Sequence, residues 1–172
     1  SGPDANGETV AKRIVPLTVH EGQVYAGSYD GGQVYRFDGE SWTDCGRVGE
    51  NTQTYSFASY EGALTVGTWP SGRVYRFDAI GKWTDLGRLG EEMEVMGMVV
   101  HNGRFLAGTL PLAEVYEYRG GTEWKRLARL DPTPDVKYRR AWTMAEHEGL
   151  VYCATLPSGK IHSYAAGTQV QW

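Results

Sequence analysis

Cysteine is scarce in this sequence of 172 residues, and the two cysteines that occur form no recognisable motif. Cys45 and Cys153 stand in different parts of the chain, without the paired spacing that zinc sites use. We therefore expect two buried thiols in preference to a disulfide, and no metal site. A surplus of positive charge is also lacking, because 17 basic residues are outnumbered by 21 acidic ones. That balance argues against a nucleic-acid partner.

Long hydrophobic runs are missing as well. The longest uncharged apolar stretch, residues 95–100, is far shorter than the roughly 20 residues that a membrane-spanning helix requires. We therefore predict no membrane span, and no apolar pattern of helical period persists long enough to indicate a helix. No signal peptide is visible. The start at Ser1 resembles a processed or cloned end, which leaves a removed leader open.

Glycine and aromatic residues, in contrast, are abundant and periodic: the chain has 23 glycines, 11 tyrosines and 6 tryptophans. A glycine that follows an acidic or amide residue recurs with spacings of 40, 41 and 46 residues, at Gly22, Gly62, Gly103 and Gly149. Short runs rich in β-branched and aromatic residues flank each of these glycines, and turn residues separate the runs. Internal periodicity of this length is typical of repeat architectures.

Each repeat predicts four short antiparallel strands. The third run of the first repeat, Val34-Tyr35-Arg36-Phe37, alternates with the period of two that a helix cannot satisfy. A single sheet of this kind cannot bury both faces, so the copies must stack. We predict an all-β fold, a β-propeller of four-stranded antiparallel blades, with repeats at residues 14–53, 54–94, 95–140 and 141–172. A solenoid is the less suitable alternative.

Two segments resemble known propeller repeats. Residues 24–42 have a glycine after the second run, a Tyr/Phe pair and a Trp that opens the fourth run, and they resemble a kelch repeat. The motif Ser28-x-Asp30-x-Gly32-x-x-Tyr35 resembles an Asp-box, the structural turn of sialidase-like propellers. As a whole, the repeats are similar to tandem repeats of secreted bacterial proteins that are sialidase-like or carbohydrate-associated. The resemblance implies an extracellular or cell-surface protein with a glycan-facing role.

The fourth repeat is incomplete, because few residues follow Tyr164. A fourth strand would have to lie near residues 169–172, or residues 9–13 would have to add an outer strand to the last blade. Three arrangements stay open: a compact four-bladed ring, a fragment of a larger ring, or two chains that combine their blades. A fragment of a larger ring and a ring made by two chains are favoured over a four-bladed ring. An open blade edge would promote self-association.

Two irregularities fall on the loops where a propeller usually binds its ligand. One is an insertion at residues 131–140, and the other is the turn after the second strand, occupied by Tyr29 in repeat one and Trp69 in repeat two. We predict binding by seven residues there: Tyr29, Asp30, Trp69, Tyr138, Arg139, Arg140 and Trp142. Aromatic rings would stack on sugar rings, and arginines would bind hydroxyl or carboxylate groups.

Structural roles are the competing interpretation for several of these positions. The aromatic rings could pack between blades, and the arginines could pair with acids such as Asp135. Tyr55, Met96 and Trp142 share one column of the first strands with Val15, and we expect this column to fill the channel mouth. The recurring Trp42, Trp83 and Trp124 are expected to pack between blades.

The inventory of motifs favours a protein without catalytic activity. No nucleophile elbow, zinc-protease motif, P-loop or dinucleotide fingerprint occurs, so no catalytic residue and no cofactor are predicted. The leading hypothesis is a propeller module that binds a glycan or a protein on the face with the 131–140 insertion. The alternatives are an assembly module that pairs blades between chains, and a fragment of a sialidase-like or other carbohydrate-active enzyme.

Overall fold

Four antiparallel sheets follow one another along the chain in a computed structural model, which describes residues 2–3, 9–10 and 13–165. A two-stranded sheet of β1 (Gly2–Pro3) and β2 (Thr9–Val10) precedes them. Blade 1 contains β3 to β6, namely Ile14–His20, Gln23–Ser28, Gln33–Phe37 and Trp42–Arg47. Blade 2 contains β7 to β10, namely Gln53–Tyr60, Ala63–Trp69, Arg73–Ala79 and Lys82–Arg88.

Blade 3 contains β11 to β14, namely Glu94–His101, Arg104–Leu110, Glu114–Gly120 and Glu123–Arg129. Blade 4 has three strands in the described residues, β15 to β17, namely Arg140–His147, Leu150–Leu156 and Ile161–Tyr164. Strands pair in chain order within each blade, and the first strands β3, β7, β11 and β15 pack on one another. First strands that surround a common axis define a β-propeller, so the predicted fold class is confirmed.

The recurring glycines lie in the hairpins that join the first and second strands. Glu21 has a φ of 49° and Gly22 a φ of 75°, and the other three hairpins repeat these values closely. Two successive residues with positive φ make the type I′ turn that suits the twist of a two-residue hairpin. An acidic or amide residue followed by glycine is therefore the local reason for the repeat signature.

Three hydrophobic clusters lie between successive blades, one for each adjacent pair. The cluster between blades 2 and 3 includes the buried Phe105, whose ring stacks on Tyr60 with 4.9 Å between centroids. Cys45 and Cys153 are buried as free thiols in two of these clusters. The fold is therefore held together mainly by the blade interfaces.

The tryptophan that opens each fourth strand bridges two blades, as predicted, except in blade 1. Trp83 donates its indole N–H to the carbonyl oxygen of Cys45 at 3.3 Å, and Trp124 donates to that of Leu86 at 2.8 Å. Both acceptors lie in the fourth strand of the preceding blade. Trp42 belongs to blade 1, which no other described blade covers on this side, and its side chain is exposed. The prediction of a packing role is therefore wrong for Trp42 within one chain.

A buried polar side chain after each of the first three blades is hydrogen-bonded to the next blade. The acceptors bind backbone N–H groups in the turn between the second and third strands, in the pairs Asn51 with Ser71 (3.3 Å), Glu92 with Leu112 (3.1 Å) and Asp131 with Ser158 (3.0 Å). These bonds fix the orientation of that turn, so the loops at this end of the propeller are rigidly placed. Asp131, part of the predicted binding insertion, thus holds two blades together.

The segment that resembles an Asp-box is the turn between the second and third strands. Ser28 Oγ accepts a hydrogen bond from the backbone N–H of Asp30 at 3.1 Å. Thr68 and Thr155 occupy the same repeat position and donate to the carbonyl oxygens of Arg73 and Lys160 at 2.9 and 3.1 Å. A hydroxyl group at this position therefore holds the turn in each of these blades.

Residues 9–13 and residues 169–172 were the two predicted sources of a fourth strand for blade 4. Thr9–Val10 pairs with Gly2–Pro3, not with the outer strand of blade 4. Residues 169–172 lie outside the described residues. Within the described ranges, no helix has the length and apolar character needed to cross a membrane.

Candidate ligand site at the mouth of the inner strands

One repeat position places a polar side chain from each blade at the same end of the axis. Gln53, Glu94 and Arg140 are the first residues of β7, β11 and β15, and Arg13 occupies the equivalent position just before β3. Inner strands line the axis of a propeller, so these four side chains line one opening of that axis. We call this opening the mouth.

Glu94 is the unusual member of the mouth. Its side chain belongs to a residue only 6% exposed, and its Oε1 atom is buried without a hydrogen-bond partner among the described residues. Burial raises the pKa of Glu94 to about 7, and the positive charge of Arg140 opposes this shift only in part. A carboxyl group left buried and unpaired is a common mark of a functional site.

Aromatic rings stand beside this carboxyl group. The rings of Tyr55 and Trp142 meet edge to face, with centroids 6.3 Å apart and an interplanar angle of 81°. Burial, together with the negative charge of Glu94, raises the pKa of Tyr55, which places the phenol within electrostatic reach of that carboxylate. Trp142 nevertheless stays exposed, so one ring of this pair is open to a ligand.

Arg140 completes the mouth from blade 4. Its guanidinium carbon lies 5.5 Å from the ring centroid of Trp142 and 5.7 Å from that of Tyr138. These contacts hold the guanidinium group beside two aromatic rings while its charge acts on Glu94. The mouth therefore offers a nearly neutral carboxyl group, a cation and an aromatic surface together.

Tyr138, Arg140 and Trp142 are the predicted binding residues that the structure brings together at the mouth. Tyr29 also lies close to Tyr55. Burial and the charge of Glu94 are the larger causes of the raised pKa of Tyr55, and electrostatic interaction with Tyr29 adds a smaller contribution. Its ring also stacks under the guanidinium carbon of Arg13 at 4.3 Å.

Of the other three predicted residues, Asp30 and Arg139 have hydrogen-bond partners and Trp69 is half-buried. Asp30 accepts hydrogen bonds from Arg13, with Nε to Oδ2 at 3.0 Å and Nη2 to Oδ1 at 2.5 Å. Arg139 turns back into its own loop, where Nε donates to the carbonyl oxygen of Thr133 at 2.5 Å. Trp69 ends β8 and is half-buried. Their proposed roles in binding stay predictions.

Sequence reasoning did not select Glu94 or Tyr55 as binding residues. Tyr55 was assigned to a column that fills the channel mouth, and Glu94 was one of 21 acidic residues. The repeat spacing contained the missing signal, since Gln53, Glu94 and Arg140 stand 41 and 46 residues apart, as the recurring glycines do. A charge of each sign at one repeat position indicates two side chains that meet at the axis.

Two grooves and a set of recurring histidines lie apart from the mouth. Grooves of about 360 and 240 Å³ lie at blade interfaces, lined by residues such as Arg76 and Asp78 in the first and by Leu127 and Cys153 in the second. Neither groove includes the carboxyl group of Glu94. Histidines recur two residues before three of the hairpin glycines, at His20, His101 and His147. The first two have separate partners, since His20 Nδ1 lies 2.9 Å from Ser59 Oγ and His101 Nδ1 lies 2.8 Å from Glu146 Oε2.

No family model matches the chain, and no curated protein matches it. Among solved structures, the chain is similar to the computationally designed Ika4 protein, with a TM-score of 0.62, 14% identity, and coverage of 93% of this chain and 95% of that one. It is also similar to a catalytically inactive virginiamycin B lyase from Staphylococcus aureus bound to quinupristin, with a TM-score of 0.65, 11% identity and coverage of 92% and 57%.

A third similar structure is the extracellular domain of a one-component system from B. thetaiotaomicron, with a TM-score of 0.65, 16% identity and coverage of 92% and 22%. The chain thus spans 57% of the lyase and 22% of the extracellular domain. At these identities the similarities establish the fold, and the protein belongs to the structural class of β-propellers.

Proposed function

We propose that this chain is a binding propeller that takes a glycan at the mouth formed by Tyr55, Glu94, Arg140 and Trp142. The observation that carries the proposal is the buried Oε1 atom of Glu94, which has no partner in the described part of the chain. A hydroxyl group of a bound sugar would donate a hydrogen bond to this oxygen. Satisfying a buried acceptor is worth about 1–3 kcal/mol, which makes the site attractive for a donor.

The aromatic rings supply the second half of the argument. Trp142 offers an exposed ring for stacking on the apolar face of a sugar, and Tyr55 holds that ring edge to face. Arg140 would bind a hydroxyl or a sugar carboxylate through its planar guanidinium group. An extracellular location belongs to this proposal, because one structural neighbour is an extracellular domain.

Calorimetric titration with neutral and acidic oligosaccharides tests the proposal. We expect Trp142→Ala to raise the dissociation constant roughly tenfold or more, because a central aromatic contact is lost. Ile80→Ala is the matched control, since Ile80 is another exposed apolar side chain that lies far from the mouth in the β9–β10 hairpin of blade 2. Its affinity should equal that of the wild type.

The carboxyl group provides an independent readout. Wild-type affinity should increase as the pH rises through about 7, because an ionised Glu94 is the better acceptor. Glu94→Gln should bind with an affinity that does not change over this range. The proposal fails if no oligosaccharide binds, or if one binds equally well to the wild type and Trp142→Ala.

An enzymatic role is the second candidate, favoured by the same carboxyl group. A pKa near 7 suits a general acid or base that works at neutral pH. Turnover of a bound oligosaccharide that disappears in Glu94→Gln, with binding retained, would favour this candidate over simple binding.

A further inference from the structure

Blade 1 leaves one apolar face uncovered. Leu17 is 66% exposed and Trp42 is 53% exposed, although their equivalents in blade 2, Phe57 and Trp83, pack in the cluster between blades 1 and 2. The spacing of the two aromatic rings on this face is nearly equal in both blades. Phe37 and Trp42 have ring centroids 5.1 Å apart, and the corresponding distance in blade 2 is 5.0 Å.

Blade 4 leaves uncovered the face that, in the other blades, packs on the next blade along the chain. Ile161 is 72% exposed, whereas the residues at its repeat position in the other blades, Val34, Val74 and Val115, are buried in the three clusters. In each of those blades this position faces the next blade along the chain. The described residues place no further blade against blade 4, and Ile161 meets solvent there.

The two exposed faces are the two halves of an interface that already occurs three times in the molecule. Blade 1 presents the half that normally receives a preceding blade, and blade 4 presents the half that normally receives a following one. A chain that closed its own ring would bury both faces, and their exposure shows that this does not happen. Isolated apolar exposure needs no explanation, but two faces that match a repeated interface do.

We propose that two copies of this chain join head to tail, with blade 4 of each copy packed on blade 1 of the other. Each copy carries both halves of the interface, so two contacts of one kind close a symmetric ring. Such a ring has eight blades, within the range of about four to eight that propellers adopt, whereas three copies would exceed it. The contact is between sheet faces, not between strand edges.

The repeated interface also indicates what the contact would bury. Trp42 of one copy would face the partner's last blade, as Trp83 of blade 2 faces blade 1. Leu17 would pack toward the β16–β17 sheet of the partner, as Phe57 packs on blade 1. Both mouths would then open onto one shared axis.

Sedimentation equilibrium of the full chain measures the assembly directly. We expect twice the mass of one chain for the wild type. Leu17→Glu and Ile161→Glu should each weaken dimerisation roughly 100-fold or more, because each places a charge in an apolar contact. Ile80→Glu is the control, since Ile80 is equally exposed but belongs to neither face. It should dimerise like the wild type.

Mixing the two variants distinguishes this arrangement from any contact between identical faces. In a mixed pair, blade 4 of Leu17→Glu meets blade 1 of Ile161→Glu, and neither surface is altered at that contact. The second contact carries both substitutions, so the mixed dimer is held by the one intact contact. Equimolar mixing should therefore restore dimers, which also shows that both variants are folded. A monomeric wild type overturns the proposal. So does a pair of variants of which only one loses dimers, or a mixture that stays monomeric.

Discussion

Replacing Glu94 with glutamine should stabilise the protein at neutral and alkaline pH but not in acid. The pKa of Glu94 is raised from 4.5 to about 7 by burial, with Arg140 opposing the shift. The folded state therefore prefers the protonated carboxyl group more than the unfolded chain does. Its contribution to stability is fully present below pH 4.5 and is lost as the pH rises through about 7.

The expected size of the effect follows from the same two values. At about 1.4 kcal/mol per pKa unit, the difference between 4.5 and about 7 amounts to about 3 kcal/mol. Glutamine has nearly the same shape and never ionises, so Glu94→Gln should gain about 3 kcal/mol relative to the wild type above the folded pKa. Below pH 4.5 the two proteins should differ by less than about 1 kcal/mol.

Urea unfolding across this pH range measures the difference. Burial also raises the pKa of Glu92, against hydrogen bonds from Thr109 and Leu112, but this group is present in both proteins and cancels. Glu91→Gln is the matched control, because Glu91 is exposed, and its substitution should change stability by less than about 0.5 kcal/mol at each pH. A difference between Glu94→Gln and the wild type that does not vary with pH would refute the reasoning.

Two further substitutions test how the blades are joined. Gly72→Ala should destabilise the fold by about 3 kcal/mol or more, because a Cβ atom there would overlap the carbonyl oxygen of Glu92, whereas Gly103→Ala, also at positive φ but in open space, should cost about 1 kcal/mol by thermal unfolding. Asp131→Ala should cost about 1–3 kcal/mol by urea unfolding, because it leaves the N–H of Ser158 without its acceptor. An unchanged midpoint for Gly72→Ala or Asp131→Ala would contradict these contacts.

The blades could be predicted from the sequence because the residues that favour each turn and strand also suit the packing of one blade on the next. An acidic residue before Gly22 sets the hairpin, and the alternation around Val34 separates the two faces of a strand. Each of these signals recurs in the other repeats, so the prediction of the fold does not depend on any single segment. The last blade was predicted to be incomplete because few residues follow Tyr164, and it has three strands in the described residues.

The mouth was harder to predict because its side chains interact across blades. The importance of Glu94 depends on burial and on a missing hydrogen bond, and neither is a property of the residue type. The insertion at residues 131–140 was a partly useful signal. It supplies Tyr138 and Arg140 to the mouth, but Asp131 and Arg139 are engaged in hydrogen bonds that shape the loop.

A comparison of two repeat positions explains where this fold allows function to differ. The position of Val34 carries valine in blades 1 to 3, because each of the three blade interfaces requires an apolar side chain there. The position of Glu94 carries arginine, glutamine, glutamate and arginine in turn, and no packing requirement fixes its chemistry. A propeller can therefore change its mouth one blade at a time without loss of the core. A buried carboxyl oxygen without a partner among the described residues, at such a free position, is better explained by a ligand than by stability, since its ionisation costs about 3 kcal/mol above neutral pH.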